Sequence, residues 1–189
     1  MSGPRPDRAV LVAPGASATR DHPSLLAIEA ALGAVGVAVD RIDLPSRKST
    51  AVVLGLVAEG AAALAARTGL AGDRLVLGGR SFGGRMCSMA VADAGVPALG
   101  LVLVSYPLHP PGRPEKARTE HLPRLAVPCL FVSGTRDSFG TRAELEAATS
   151  AIPGGRVTHV WIEGGDHGLR GRDRDVAAVV RDWVVGLPG

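Results

Sequence analysis

Short runs of almost wholly apolar residues alternate along this chain with stretches whose apolar positions recur every three or four residues. The runs occupy residues 9–13, 37–42, 75–79, 99–105, 127–133 and 157–162. Several are near-continuous Val and Leu without a polar alternate, as expected of strands covered on both faces in a parallel sheet. Between them, Leu25, Ile28, Leu32 and Val35 mark one helical face, and Val53, Leu56, Val57, Gly60, Ala61 and Leu64 mark a second. A further helix is expected over 86–93. Val176, Val179, Val180, Trp183 and Val184 make the last face at i, i+3, i+4, i+7 spacing. Thr141 followed by Glu144 reads as a capping box opening another helix. Strand and helix repeated in this way predict an α/β fold, a doubly wound six-stranded parallel sheet with right-handed crossovers.

One connection breaks the pattern. Residues 106–126 contain Pro107, Pro110, Pro111, Pro114 and Pro123, a density that excludes a long helix. An ordered surface loop with one short helical piece around 115–121 is expected there, and loops of this length often border a site.

At 189 residues, 46% hydrophobic and 21% charged, the chain suits one domain over 1–189 with one well-formed core. It shows neither an internal repeat nor a linker. No stretch approaches roughly 18 uninterrupted apolar residues, so no membrane partner is expected. The polar opening Met1–Arg8 does not read as a secretory leader, which points to a cytoplasmic protein. Cys87 and Cys129 fall in a helix and a strand without metal-ligand spacing and read as buried, reduced core residues. The net charge of +3 changes little. Of 21 basic residues 19 are Arg, scattered along the chain, and only six residues are aromatic, which argues against nucleic acid as a partner.

The chemistry enters at Gly79-Arg80-Ser81-Phe82-Gly83, a G-x-S-x-G pentapeptide at the expected junction of strand and helix. A tight turn there lifts a serine hydroxyl to its tip, and glycines on either side leave room for the strand and helix to pass. Sites of open parallel sheets lie at the carboxyl ends of strands. Those ends carry Ser81, then Asp137 in Gly134-Thr135-Arg136-Asp137, then His167 in Gly164-Gly165-Asp166-His167. Serine is a weak nucleophile until a base takes its proton, an imidazole exchanges protons near neutral pH, and a carboxylate orients that imidazole. Ser81, His167 and Asp137 are therefore the candidate nucleophile, base and acid. Phe82 and Ala16, the latter in the loop after the first strand, are the candidate oxyanion donors. No cofactor and no metal is implied.

The segments at 13–17, 78–85, 106–116, 131–137 and 164–169 give the sequence a resemblance to small α/β-hydrolases. It is similar to the dienelactone-hydrolase-like group and its compact bacterial relatives, a branch whose eukaryotic members act as subunits of larger assemblies. The resemblance implies the same roles for Ser81, Asp137 and His167. Eight polar residues before Ala9 cannot supply the two extra antiparallel strands of the full fold, so a minimal six-stranded sheet is expected. Pro14 stands where many relatives have a histidine, and no insertion is long enough for a lid, which implies an open site. Dienelactone hydrolases use a cysteine nucleophile; a serine here points to ester chemistry on a small-molecule substrate.

Other residues bear on the same site. Gly15, His109 and Tyr106 are candidates for the substrate pocket. Asp166 is the rival acid, expected to brace its loop. His22 and His159 read as structural, Arg85 as a helix-surface ion-pair residue, and Arg80 as a group within reach of an anionic substrate. Phe139 offers an apolar wall. The same constellation also suits acyl transfer to an acceptor other than water, and the fold suits a catalytically silent binding module. Oligomeric state is open.

Overall fold

The alternation of Val and Leu along the strands sends successive side chains to opposite faces, and two separate apolar layers result. In the computed structural model, which describes residues 7–188, six parallel strands form one sheet in the order β2-β1-β3-β4-β5-β6. They are β1 (Ala9–Ala13), β2 (Ala38–Arg41), β3 (Leu75–Arg80), β4 (Gly100–Val104), β5 (Cys129–Gly134) and β6 (Val157–Ile162). The first six residues of the polar N-terminal stretch lie outside the described residues.

One face carries α1 (Pro23–Gly33) and α5 (Asp173–Gly186), whose Leu25, Ile28, Val176 and Val180 pack on Val10, Val12, Val76 and Val102. The other carries α2 (Thr50–Thr68), α3 (Phe82–Asp93) and α4 (Arg142–Thr149), packed on Leu11, Leu77, Leu103 and Phe131. Helix α4 opens with the expected capping box of Thr141 and Glu144. Helix α2 has the length and apolarity of a membrane-crossing segment, which the sequence reading passed over. In the fold it lies on the sheet, burying Val53, Val57, Ala61 and Leu64.

Several boundaries shift by a residue or more, and two of the shifts have a local physical cause. Strand β5 starts at Cys129 rather than 127, because Pro128 has no N–H to give to the ladder. Helix α3 starts at Phe82, four residues before the expected 86, because the turn at Ser81 feeds straight into it. The proline-rich connection holds two 3-10 turns, Pro114–Lys116 and Leu122–Arg124, in place of one helical piece at 115–121. Proline sits at the start of each.

Cys87 and Cys129 are both buried and free, and burial pushes each thiol up to about 12. At the other end of the sheet, the buried Arg8 donates to the carbonyls of Val184 and Leu187 at 2.7 Å each, tying the entry of β1 to the exit of α5. The chain leaves β1 toward β2 and then crosses back to β3, so the strand order reverses between β1 and β3. Crevices for ligands open at such points, outside the carboxyl ends of the strands.

Candidate active site

Ser81 links β3 to α3 with φ of 50°, in the left-handed region that a non-glycine residue adopts only when its surroundings impose it. Its surroundings do. A Cβ on Gly79 would lie 2.0 Å from the Ala13 carbonyl oxygen, and one on Gly83 would lie 2.4 Å from the same atom. Both glycines therefore let the elbow press against the end of β1. The Ser81 side chain makes no capping bond to α3. Its Oγ lies 2.9 Å from Nε2 of His167 instead.

His167 comes from the loop after β6, and its Nδ1 lies 2.9 and 3.0 Å from the two carboxylate oxygens of Asp137. Asp137 is 5% exposed and also accepts the Phe139 N–H at 2.8 Å. The Phe139 ring stacks on the imidazole, with centroids 3.9 Å apart at 23°. The Arg80 guanidinium donates to the His167 carbonyl at 2.8 Å. Ring, backbone and carboxylate partner are thus all fixed. An imidazole protonated on Nδ1 donates to Asp137 and turns the lone pair of Nε2 toward the serine hydroxyl, the arrangement needed to take its proton.

The loops carrying Asp137 and His167 are held together by backbone. Arg136 N–H donates to Gly165 O at 2.8 Å and Thr135 N–H to Ile162 O at 3.1 Å. A Cβ on Gly134 would lie 2.2 Å from Gly165 O, so this approach also requires glycine. Asp166 accepts the Leu169 N–H at 3.0 Å and braces the turn, as expected of the rival acid.

Ser81 and His167 open into a cleft of about 670 Å³ that Gly15, Ala16 and Phe82 also line. Phe82 begins α3, so its N–H has no intrahelical partner. The loop bearing Ala16 is closed by Ala18 N–H to Gly15 O at 3.1 Å and tied by Ser46 Oγ to Ala16 O at 2.9 Å. Among the described residues, the element order leaves no insertion the size of a lid. Among the described residues, no group of His, Cys, Asp and Glu is arranged to hold a metal.

Two pocket candidates lie elsewhere. His109 is buried, with Nδ1 2.8 Å from Pro110 O and Nε2 facing Glu144 at 3.4 Å, and it does not line the cleft. The Pro110 carbonyl, then Glu144, raises its pKa. Tyr106 is buried edge-on to Phe131, its hydroxyl donating to Arg118 O at 2.9 Å, and burial pushes its pKa up. The His109 N–H donates to Phe139 O at 3.0 Å, outside this loop, and the Arg118 N–H donates to Leu108 O at 2.8 Å, which holds both side chains inward.

Arg85 also departs from expectation. It forms no ion pair among the described residues; it lines the cleft. Arg118 and His22 line it too, and the sequence had singled out neither for that place. His22 caps α1 by accepting the Ser24 N–H at 3.3 Å, and burial, then Arg80, lowers its pKa. His159 stacks between Phe131 and Trp161 and is structural, as expected.

Residues 6–182 match the model of a family described as alpha/beta hydrolase domain. Among solved structures, a dienelactone hydrolase from Anabaena variabilis superposes with a TM-score of 0.77 at 19% identity, over 96% of this chain and 87% of that one. Est1E from Butyrivibrio proteoclasticus gives 0.76 at 16%, over 95% and 88%. A monoacylglycerol lipase from Paleococcus ferrophilus gives 0.74 at 14%, over 95% and 94%. At these identities the likeness is one of fold.

Proposed function

The chain belongs to the alpha/beta hydrolase domain family, and from that premise we propose that it is a serine hydrolase cleaving a small ester through an acyl-enzyme. The observation that carries this reading is the continuous hydrogen-bonded row from Ser81 through His167 to the buried Asp137.

In the proposed cycle, Ser81 Oγ attacks the acyl carbon as Nε2 of His167 takes its proton. Asp137 stabilises the imidazolium that forms. The N–H groups of Phe82 and Ala16 receive the charge that develops on the acyl oxygen. The imidazolium then gives its proton to the departing alkoxide, leaving Ser81 acylated. A water then attacks the acyl carbon as Nε2 takes its proton; the bond to Ser81 Oγ breaks, Oγ receives the proton back from Nε2, and the acid leaves. The hydroxyl of Ser81 supplies the nucleophile, and no step uses a cofactor.

The test is labelling by a fluorophosphonate, followed by turnover of 4-nitrophenyl esters. Wild type is expected to label at one site and to hydrolyse the esters. Ser81→Ala is expected to lose both activities, and His167→Ala to lose them by several orders of magnitude. A folded wild-type protein that neither labels nor hydrolyses would overturn the reading in favour of a silent binding module.

A further inference from the structure

The cleft beside Ser81 is lined by three arginines and two histidines, and by no aspartate or glutamate. Among the described residues, eight arginines are ion-paired with carboxylates. None of the three in the cleft is one of them. Arg80 has an evident task in holding the His167 carbonyl. Arg85 and Arg118 have none of that weight.

Arg85 sits one helical turn beyond Ser81, its N–H donating to Ser81 O at 3.0 Å. Its side chain is half-buried, and Nε is enclosed without an acceptor. Burial acts most strongly against its charge and Arg118 repels it; the groups that offset this are the buried Tyr106 hydroxyl and the exposed Glu120, and neither forms an ion pair with it. Arg118 is presented by a fixed backbone, its N–H donating to Leu108 O at 2.8 Å and its carbonyl held by Tyr106. Among the described residues, its guanidinium reaches only the Pro107 carbonyl, at 3.4 Å. Two partly dehydrated cations thus face one cleft without a counter-ion. Guanidinium forks match the oxygens of carboxylate and phosphate, and such bonds strengthen as water is excluded.

We propose that Arg85 and Arg118 form an anion subsite beside Ser81, so that the substrate is an ester that also carries a carboxylate or a phosphate. The subsite names the substrate class of the proposed hydrolase and rests on that reading.

The experiment compares two matched pairs of esters. 4-Nitrophenyl hemiglutarate against 4-nitrophenyl pentanoate places the charge on the acyl side, and 3-acetoxybenzoate against phenyl acetate places it on the alcohol side. In at least one pair the wild-type kcat/KM for the charged ester is expected to exceed that for the neutral one about tenfold or more. That ratio is expected to fall about tenfold in Arg85→Gln and in Arg118→Gln, and less in Arg85→Lys. Being a ratio within one protein, it is insensitive to partial loss of folded material. A wild-type ratio near one in both pairs, or a ratio that the variants leave unchanged, overturns the subsite.

Calorimetric titration of Ser81→Ala with glutarate and with inorganic phosphate separates the two claims. Binding that disappears in the Arg85→Gln, Arg118→Gln double variant supports the subsite even where no ester is turned over, and the stronger ligand identifies the anion. Ester turnover without charge preference, and without binding of either anion, leaves the hydrolase and removes the subsite.

Discussion

Gly83 and Gly55 both lie inside helices, and replacing each with alanine should have opposite effects. In an exposed helix interior alanine is favoured over glycine by about 1 kcal/mol. At Gly55 nothing lies within 4 Å of the added carbon, so that preference acts alone. At Gly83 the carbon would meet Ala13 O at 2.4 Å, with Ala13 C and Pro14 O at 2.5 Å. A carbon and a carbonyl oxygen ordinarily keep roughly 3.3–3.6 Å apart, so the shortfall is about 1 Å, and every atom in the way is backbone. Overpacking of this kind costs about 1–3 kcal/mol, which outweighs the helical gain. Gly83→Ala is expected to lose about 1 kcal/mol net, and Gly55→Ala to gain a similar amount. Each is a change of roughly 2–4 °C in Tm for a chain of this size. Lifting α3 from β1 also moves Ser81 relative to His167, and a displacement near 1 Å lowers reactivity about a hundredfold. Thermal melts and the rate of fluorophosphonate labelling measure both effects. If Gly83→Ala labels at the wild-type rate and melts higher, as Gly55→Ala should, close approach is not what the second glycine of the pentapeptide serves.

Three further outcomes follow from particular contacts. Asp137→Asn removes the charge that orients His167 Nδ1, and labelling of Ser81 should slow by about 10³–10⁴-fold; slowing of less than tenfold would discard Asp137 as the acid. His121, buried with Nε2 2.8 Å from Ser88 Oγ, has its pKa lowered by burial from its ordinary 6.5 to about 4. Its contribution is therefore complete above about pH 6.5 and fades as pH falls toward 4, by at most about 3 kcal/mol. Urea melts across that range should show the loss, and His121→Gln should flatten it; an equal slope in the variant would refute the assignment. The Cys87 and Cys129 thiols, both held near 12 by burial, should ignore Ellman's reagent in the native protein and react fully in denaturant, whereas fast native reaction of either would contradict its burial.

The sheet was legible because its information is local: Val and Leu runs without polar alternates at β1, β3, β4 and β5, separated by periodic faces. The meeting of Ser81, Asp137 and His167 at one edge was legible for a related reason, since the carboxyl ends of parallel strands gather there whatever the details. Orientation within the proline-rich loop was not. His109 and Tyr106 stand in a segment without periodicity, and bonds between distant positions, from His109 N–H to Phe139 O, from Arg118 N–H to Leu108 O and from Tyr106 to Arg118 O, hold them inward. Arg118 gains its place in the cleft from the same bonds. Gly134 and Gly165 escaped notice because their meeting depends on two loops about thirty residues apart, and no spacing within either records it.

The bonds from Arg8 to Val184 and Leu187 bring residues 179 positions apart side by side at the edge of the sheet remote from Ser81. Between Arg8 and Leu187 the backbone is in effect a nearly closed ring, and the point at which that ring is cut is a matter of engineering rather than architecture. A short bridge across that gap, with a new opening at the exposed left-handed turn of Gly69, preserves every strand-end loop. The cleft then becomes a fixed module that can be inserted into a host protein, with both attachment points on the far side from incoming ligand.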